Sequence, residues 1–115
     1  MTIQDAIAQA DDLRPNTYSM GQKVGWLKRC ETMLRRTVLL EPGEPEWPED
    51  PMQVELTVPE PWCGLYVRWL EAQSHYANGE YDRYNDAITA FNADLAGYRN
   101  EMARSTRAKE SRFRF

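Results

Sequence analysis

The chain has 115 residues, 42% of them hydrophobic, with 4 Trp, 6 Tyr and 3 Phe. That is one domain's worth of sequence, able to bury roughly two-thirds of the surface its unfolded form exposes. The composition excludes a disordered or collagen-like chain, and no apolar run approaches the ~18 residues of a membrane span.

Charge is distributed unevenly along the chain. Residues 1–103 hold 9 Lys/Arg against 17 Asp/Glu, a balance of -8, whereas residues 104–115 hold 5 basic residues and only Glu110, a balance of +4. The start, Met1-Thr2-Ile3-Gln4-Asp5, lacks the basic-then-apolar layout of a signal peptide, so an intracellular location is expected. Cys30 and Cys63 form neither a disulfide framework nor a metal-ligand pattern, and are expected as small buried thiols.

Thr2 can cap a first helix that carries Ile3, Ala6, Ile7, Ala10 and Leu13 along one side. Arg14-Pro15-Asn16 reads as a break. Ser19 followed by Gln22 is the signature of a capping box opening a second helix. Its stripe runs through Met20, Val24, Leu27, Leu34 and Val38, widened by Trp26, Cys30 and Met33.

Residues 41–61 change character. They contain six of the seven prolines, seven acidic residues and no Lys or Arg. Proline forbids a helix here, and the segment is longer than an ordinary connector. Inside it Gln53-Val54-Glu55-Leu56-Thr57-Val58 alternates polar and apolar, which predicts one short strand. A lone strand needs a partner, either a local segment or another subunit. Residues 41–60 are therefore expected to be an extended acidic arm, with Val54, Leu56 and Val58 as candidate subunit contacts.

Pro61 suits the first turn of a third helix, whose face carries Leu65, Trp69, Ala72 and Tyr76, with Trp62, Tyr66 and Leu70 beside them. Asn78-Gly79 supplies a helix stop. Tyr81, Tyr84, Ile88, Phe91, Leu95, Tyr98 and Met102 then recur at alternating steps of three and four, the period of a helix-packing seam. The short turn makes the third and fourth helices antiparallel neighbours. The fold expected is mainly α: a four-helix domain over residues 1–103 with an antiparallel C-terminal hairpin, one long Pro-rich loop and one short strand, followed by a basic flexible tail, 104–115. Ala87, Ala90, Ala93, Ala96 and Gly97 are most simply helical filler.

Chemistry-bearing constellations are sparse. His75 is the only histidine, expected at the surface or rim of the third helix, with no nucleophile and base around it. Glycines are scattered rather than gathered in a phosphate loop, and the acidic residues of the loop do not follow a calcium-binding spacing. No cofactor, metal ligand or catalytic residue is assigned, and no enzymatic activity is expected. The tail admits two readings: a frayed end, or a docking element in which Arg104, Arg107, Lys109, Arg112, Arg114, Phe113 and Phe115 meet an acidic neighbour or a nucleic-acid backbone.

The run Val54–Gln73 (VELTVPEPWCGLYVRWLEAQ), with Tyr76–Asn85 (YANGEYDRYN), Ala90-Phe91-Asn92, Ala6-Ile7, Asp12–Asn16 and Trp26-Leu27, resembles a family encoded by phages and prophages of Gram-positive bacteria. That family is similar to the head-tail connector (adaptor, neck) proteins of long-tailed phages, and the likeness spans most of residues 3–98. It implies a small helical virion structural protein forming a homo-oligomeric ring, usually of about twelve copies. The implied partners are further copies of itself, the portal protein and the next neck or tail component, with possible backbone contact to packaged DNA and no membrane. The implied location is the virion neck, with the host cytoplasm during assembly. Trp62 is a further candidate contact. Residues 41–51 and the tail after Met102 depart from the family pattern. The alternative function is a small prophage-encoded protein-binding module, regulatory or capsid-associated.

Overall fold

Two capping boxes start the first two helices. In the computed structural model, which describes residues 1–41 and 43–112 and side chains through Arg107, Thr2 Oγ1 accepts the Asp5 N–H while the Asp5 carboxylate accepts the Thr2 N–H, both at 3.1 Å. This box opens α1, Ile3–Leu13. Ser19 and Gln22 repeat the arrangement at the start of α2, Met20–Leu34. Each box satisfies donors that a helix start otherwise leaves without partners. The second helix continues as a wider π-helical turn, Arg35–Leu39, and stops at Leu40, which adopts the left-handed conformation (φ 56°, ψ 31°).

The hairpin follows its stop signal closely. α3 spans Leu65–Ala77 and α4 spans Tyr81–Arg112. Gly79 takes φ +76° and donates to the Tyr76 carbonyl at 3.0 Å, and Glu80 donates to His75 at 2.9 Å. These are the two bonds of a Schellman stop, which needs glycine or a similarly permissive residue at that point. Contacts down the pair descend in α3 as they ascend in α4: Tyr76 with Tyr81 and Tyr84, Trp69 with Phe91, Arg68 with Asp94, Trp62 with Glu101. The helices are therefore antiparallel. Two-thirds of the chain (67%) is helical, with four helices and no strand among the described residues.

One core joins all the elements. Ile3 and Ile7 of α1, Leu27, Cys30 and Leu34 of α2, Leu65, Tyr66 and Leu70 of α3, and Phe91, Leu95 and Tyr98 of α4 are all buried in it. Each such side chain contributes about 1.5–3 kcal/mol of burial. The α4 seam is sealed from Phe91 to Tyr98, while Tyr81 at its start stays 59% exposed. Cys30 and Cys63 are free and buried, as expected.

Several expectations are corrected. The alternating run at 53–58 is no strand. Its one bridge pairs Glu55 with Thr2 of the same chain, flanked by Ile3 N–H to Val54 C=O (3.0 Å), Gln4 N–H to Met52 C=O (3.0 Å) and Leu56 N–H to Met1 C=O (2.9 Å). The reason is local: the first N–H groups of α1 have no intrahelical partner, and the loop carbonyls supply one. The acidic arm is accordingly laid along its own body, with Pro45, Pro51, Leu56 and Val58 buried. The third helix starts at Leu65, and Pro61 sits in the turn before it. The tail begins as helix: α4 continues through Arg112 rather than fraying after Ala103. His75 is only 3% exposed, not a rim residue.

Candidate functional site

Polar groups inside the body are used to fasten elements together. Glu31 projects from α2 between Leu27 and Leu34 and is 3% exposed. Its carboxylate accepts from the Thr57 N–H (3.2 Å), the Thr57 hydroxyl (2.7 Å) and the Tyr66 hydroxyl. Tyr66 in turn accepts the Val58 N–H at 3.0 Å. One carboxylate thus ties α2, the loop and α3. Burial, followed by the Glu31 charge, pushes the Tyr66 phenol far up, and burial does the same to the Cys30 thiol. These shifts favour the neutral, inert forms.

A second fastening closes the hairpin end. His75 lies 3.6 Å from Glu71 through Nε2 and 3.3 Å from Glu80 through Nδ1. Glu71 also accepts from Arg14, just past the end of α1, at 3.2 Å, and Glu80 from Asn78 and Arg83. Those contacts, led by the Asn78 amide and then His75, hold the Glu80 carboxyl below its ordinary range. Lys23, buried on α2, pairs with Asp11 at 3.0 Å. No buried side-chain nitrogen or oxygen among the described residues lacks a partner, and no His/Cys/Asp/Glu group there is arranged to hold a metal. None of the described helices is long and apolar enough to cross a membrane.

The open features lie on the outside. A groove of about 550 Å³ runs along α2 between Gly25, Lys28, Arg29, Met33 and Arg36. A second, about 460 Å³, is floored by Met20, Val24, Trp47 and Met52 and bordered by Glu49 and Asp50. A third, about 470 Å³, lies between Thr37 and Val38 of the π-helical turn and Arg99, Met102, Thr106 and Arg107 of α4. Tyr76, Tyr81 and Tyr84 stack at the hairpin tip with ring centroids 5.3–5.5 Å apart. Tyr76 and Tyr81 are more than half exposed.

The residues singled out in the sequence fall into separate places. Leu56 and Val58 are core, at 5% and 0% exposure, which leaves them no face for another subunit; Val54 is half-buried beside the α1 start. Trp62 lies half-buried across Gly97, so close that a Cβ added there would overlap the ring, and its indole N–H donates to Glu101. Arg104 and Arg107 are exposed, on one side of α4 by their three-residue spacing. Lys109 and Arg112 occupy α4 positions whose side chains lie outside the described residues, as do Phe113, Arg114 and Phe115 entirely. The structure thus gathers no single site from these residues.

Sequence reading missed Glu31 and the grooves. A signal for Glu31 was present: Leu27, Glu31 and Leu34 fall at helical spacing, which puts a carboxylate inside an apolar stripe. Comparison with protein-family models, curated proteins and solved structures finds no match to this chain.

Proposed function

We propose that this chain is a virion structural protein of a long-tailed phage or prophage, a head-tail connector that forms a homo-oligomeric ring between portal and tail. The residues from Val54 to Gln73 and from Tyr76 to Asn85, which resemble that family, occupy the turn into α3 and the hairpin itself. The observation that carries the reading is the reach of α4. Its apolar seam ends at Met102, yet the helix runs ten residues further, about 15 Å, carrying exposed Arg104 and Arg107 away from an acidic body. A rigid body fastened by Glu31 and His75, with a projecting cationic helix, supports a part that joins others.

Cryo-electron microscopy of the virion whose genome encodes the chain tests this. Expected is ring density at the neck that accepts the hairpin. A neck fully accounted for by other proteins refutes it. Portal and capsid genes on one side of the coding sequence and tail genes on the other are the arrangement expected.

The alternative, a small prophage-encoded binding module, is favoured by one feature: the exposed Tyr76 and Tyr81 at the hairpin tip. Affinity capture that returns a host regulator and no portal or tail component, and that is abolished by Tyr81→Ala, selects this second reading.

A further inference from the structure

We propose that the groove along the N-terminal half of α2 receives residues 104–115 of a second copy of this chain, so that subunits join head to tail. The inference rests on the connector reading above and names the contact that reading requires.

The groove asks for a particular occupant. Its floor is Met20, Val24, Trp47 and Met52, and Met20 is left 50% exposed at the first turn of α2. Its border carries Glu49 and Asp50, with Glu46 nearby in sequence. All three are exposed and have no cation partner among the described residues. Lys28, at the far end, is already engaged with Glu44 at 4.0 Å. An apolar floor with an uncompensated acidic edge fits a cationic segment with apolar anchors. Residues 104–115 carry five Lys/Arg, one Glu, and Phe113 and Phe115.

A single molecule cannot close this contact on itself. Trp69 reaches the Trp26 carbonyl and the Phe91 ring at one level, and Val38 and Met102 line one groove at another, so α2 and α4 run in the same direction. The end of α4 therefore leaves the body past the C-terminal end of α2, while the groove sits at the opposite end. Met20 to Val38 is about 27 Å along the helix, and α4 after Met102 adds about 15 Å in the wrong sense. Three residues beyond Arg112 span at most about 11 Å. Two copies meet this requirement with different patches, a heterologous contact that repeats into a closed ring or a filament. Nucleic acid is the competing occupant for the cationic segment, and a body carrying a balance of -8 disfavours it.

The test uses the full chain with all five methionines labelled at the methyl carbon, plus a synthetic peptide of residues 104–115. Peptide addition is expected to shift the Met20 and Met52 methyl signals and to leave Met33 in place, with affinity falling about tenfold or more on going from ~0.05 M to ~0.5 M salt. Sedimentation of the full chain should show salt-sensitive self-association, lost in E49K/D50K and in R104E/R107E. An equimolar mixture of the neutralised variants E49Q/D50N and R104Q/R107Q, whose altered patches do not attract each other, should yield dimers and nothing larger, because each keeps one intact patch.

Unshifted Met20 and Met52, or association untouched by both charge reversals, overturns the groove contact while leaving a ring built on other surfaces standing. A full chain that stays monomeric at ~1 mM in low salt also overturns it, even if the peptide binds. Duplex DNA binding abolished by R104E/R107E, with self-association intact, gives the segment to nucleic acid instead. Neck density without this chain defeats the connector reading itself, whatever the groove binds.

Discussion

Replacing Tyr66 by Phe deletes one oxygen that serves two partners at once. The hydroxyl donates to Glu31 and accepts the Val58 N–H at 3.0 Å, and all three residues are nearly sealed from water. Its loss strands the Val58 donor, at about 1–3 kcal/mol, and takes one of three bonds from a buried carboxylate, at about 1.5–3 kcal/mol. The two effects share one deletion and one local relaxation, so they do not add in full, and the expected loss is about 2–4 kcal/mol. The vacancy, one oxygen in a packed core, is too small to admit water as a substitute. Against a total stability of ~5–15 kcal/mol that is a large share, and Tm should fall by about 10–20 °C. Urea unfolding followed in parallel by tryptophan fluorescence and far-ultraviolet circular dichroism measures it, with the denaturant slope unchanged. Thr57→Val removes a second donor to the same carboxylate, so the double variant should show coupling of about 1 kcal/mol. Tyr81→Phe, at an exposed ring, is the control. A Tyr66→Phe loss below about 0.5 kcal/mol, no larger than the control, refutes the claim that Glu31 fastens the loop to the helices.

Gly97→Ala should destabilise by about 1–3 kcal/mol because the added methyl overlaps the Trp62 ring. Made in a Trp62→Leu background, the same change should stabilise by about 0.5–1 kcal/mol, since alanine then contributes only its helix propensity; thermal melts of the four variants decide. Leu56→Asp should cost more than about 3 kcal/mol and leave little folded protein, whereas Val54→Asp, at a half-buried position, should be milder. Limited proteolysis ranks the two, and equal sensitivity counts against the loop being core. Stability should also decline at alkaline pH. Burial, then the Glu31 charge, raises the Tyr66 phenol from its ordinary 10.0, so its contribution is complete below about pH 10 and fades above it, where only the unfolded chain ionises. Unfolding curves between pH 8 and pH 11 should flatten in Tyr66→Phe relative to the wild type, with Cys30, Cys63, Tyr98 and the Met1 amino group supplying the slope that remains.

What the sequence disclosed was what its local rules govern. The Thr2 cap, the Ser19 box, the Asn78-Gly79 stop and the Phe91–Tyr98 seam each depend on residues a few positions apart, and each stands where spacing placed it. Closure of the loop depends on bonds to residues in other elements, from Thr57 to Glu31 in α2 and from the 52–56 segment to the start of α1 about fifty positions away. The alternation at 53–58 gave the right inward residues, Leu56 and Val58, without naming their partner. A single bridge to Thr2 leaves no periodic trace in either segment. His75 misled, and Glu31 went unnoticed, for a shared reason: a titratable residue reads as solvent-facing until its partners are known. The partners here, Glu71, Glu80, Thr57 and Tyr66, come from other turns or other elements.

The end of α4 carries the opposite lesson. Apolar periodicity stops at Met102, and a chain without it was expected to fray. Periodicity, however, reports what a helix packs against, not whether it forms. Ala103, Arg104, Arg107, Ala108, Lys109 and Glu110 are mostly strong helix formers, and a helix already nucleated by about three packed turns extends at little cost per residue. The Phe91–Met102 stretch supplies that nucleus, so the helix outlasts its seam. The seam therefore marks where the helix stops burying apolar side chains in its own body, although Thr106 and Arg107 still share a groove with Thr37 and Val38. The groove at Met20 and Trp47 is the matching vacancy at the other end of α2. On the contact proposed above, a cationic segment at one end of the subunit and an acidic, apolar-floored groove at the other are completed by a neighbour.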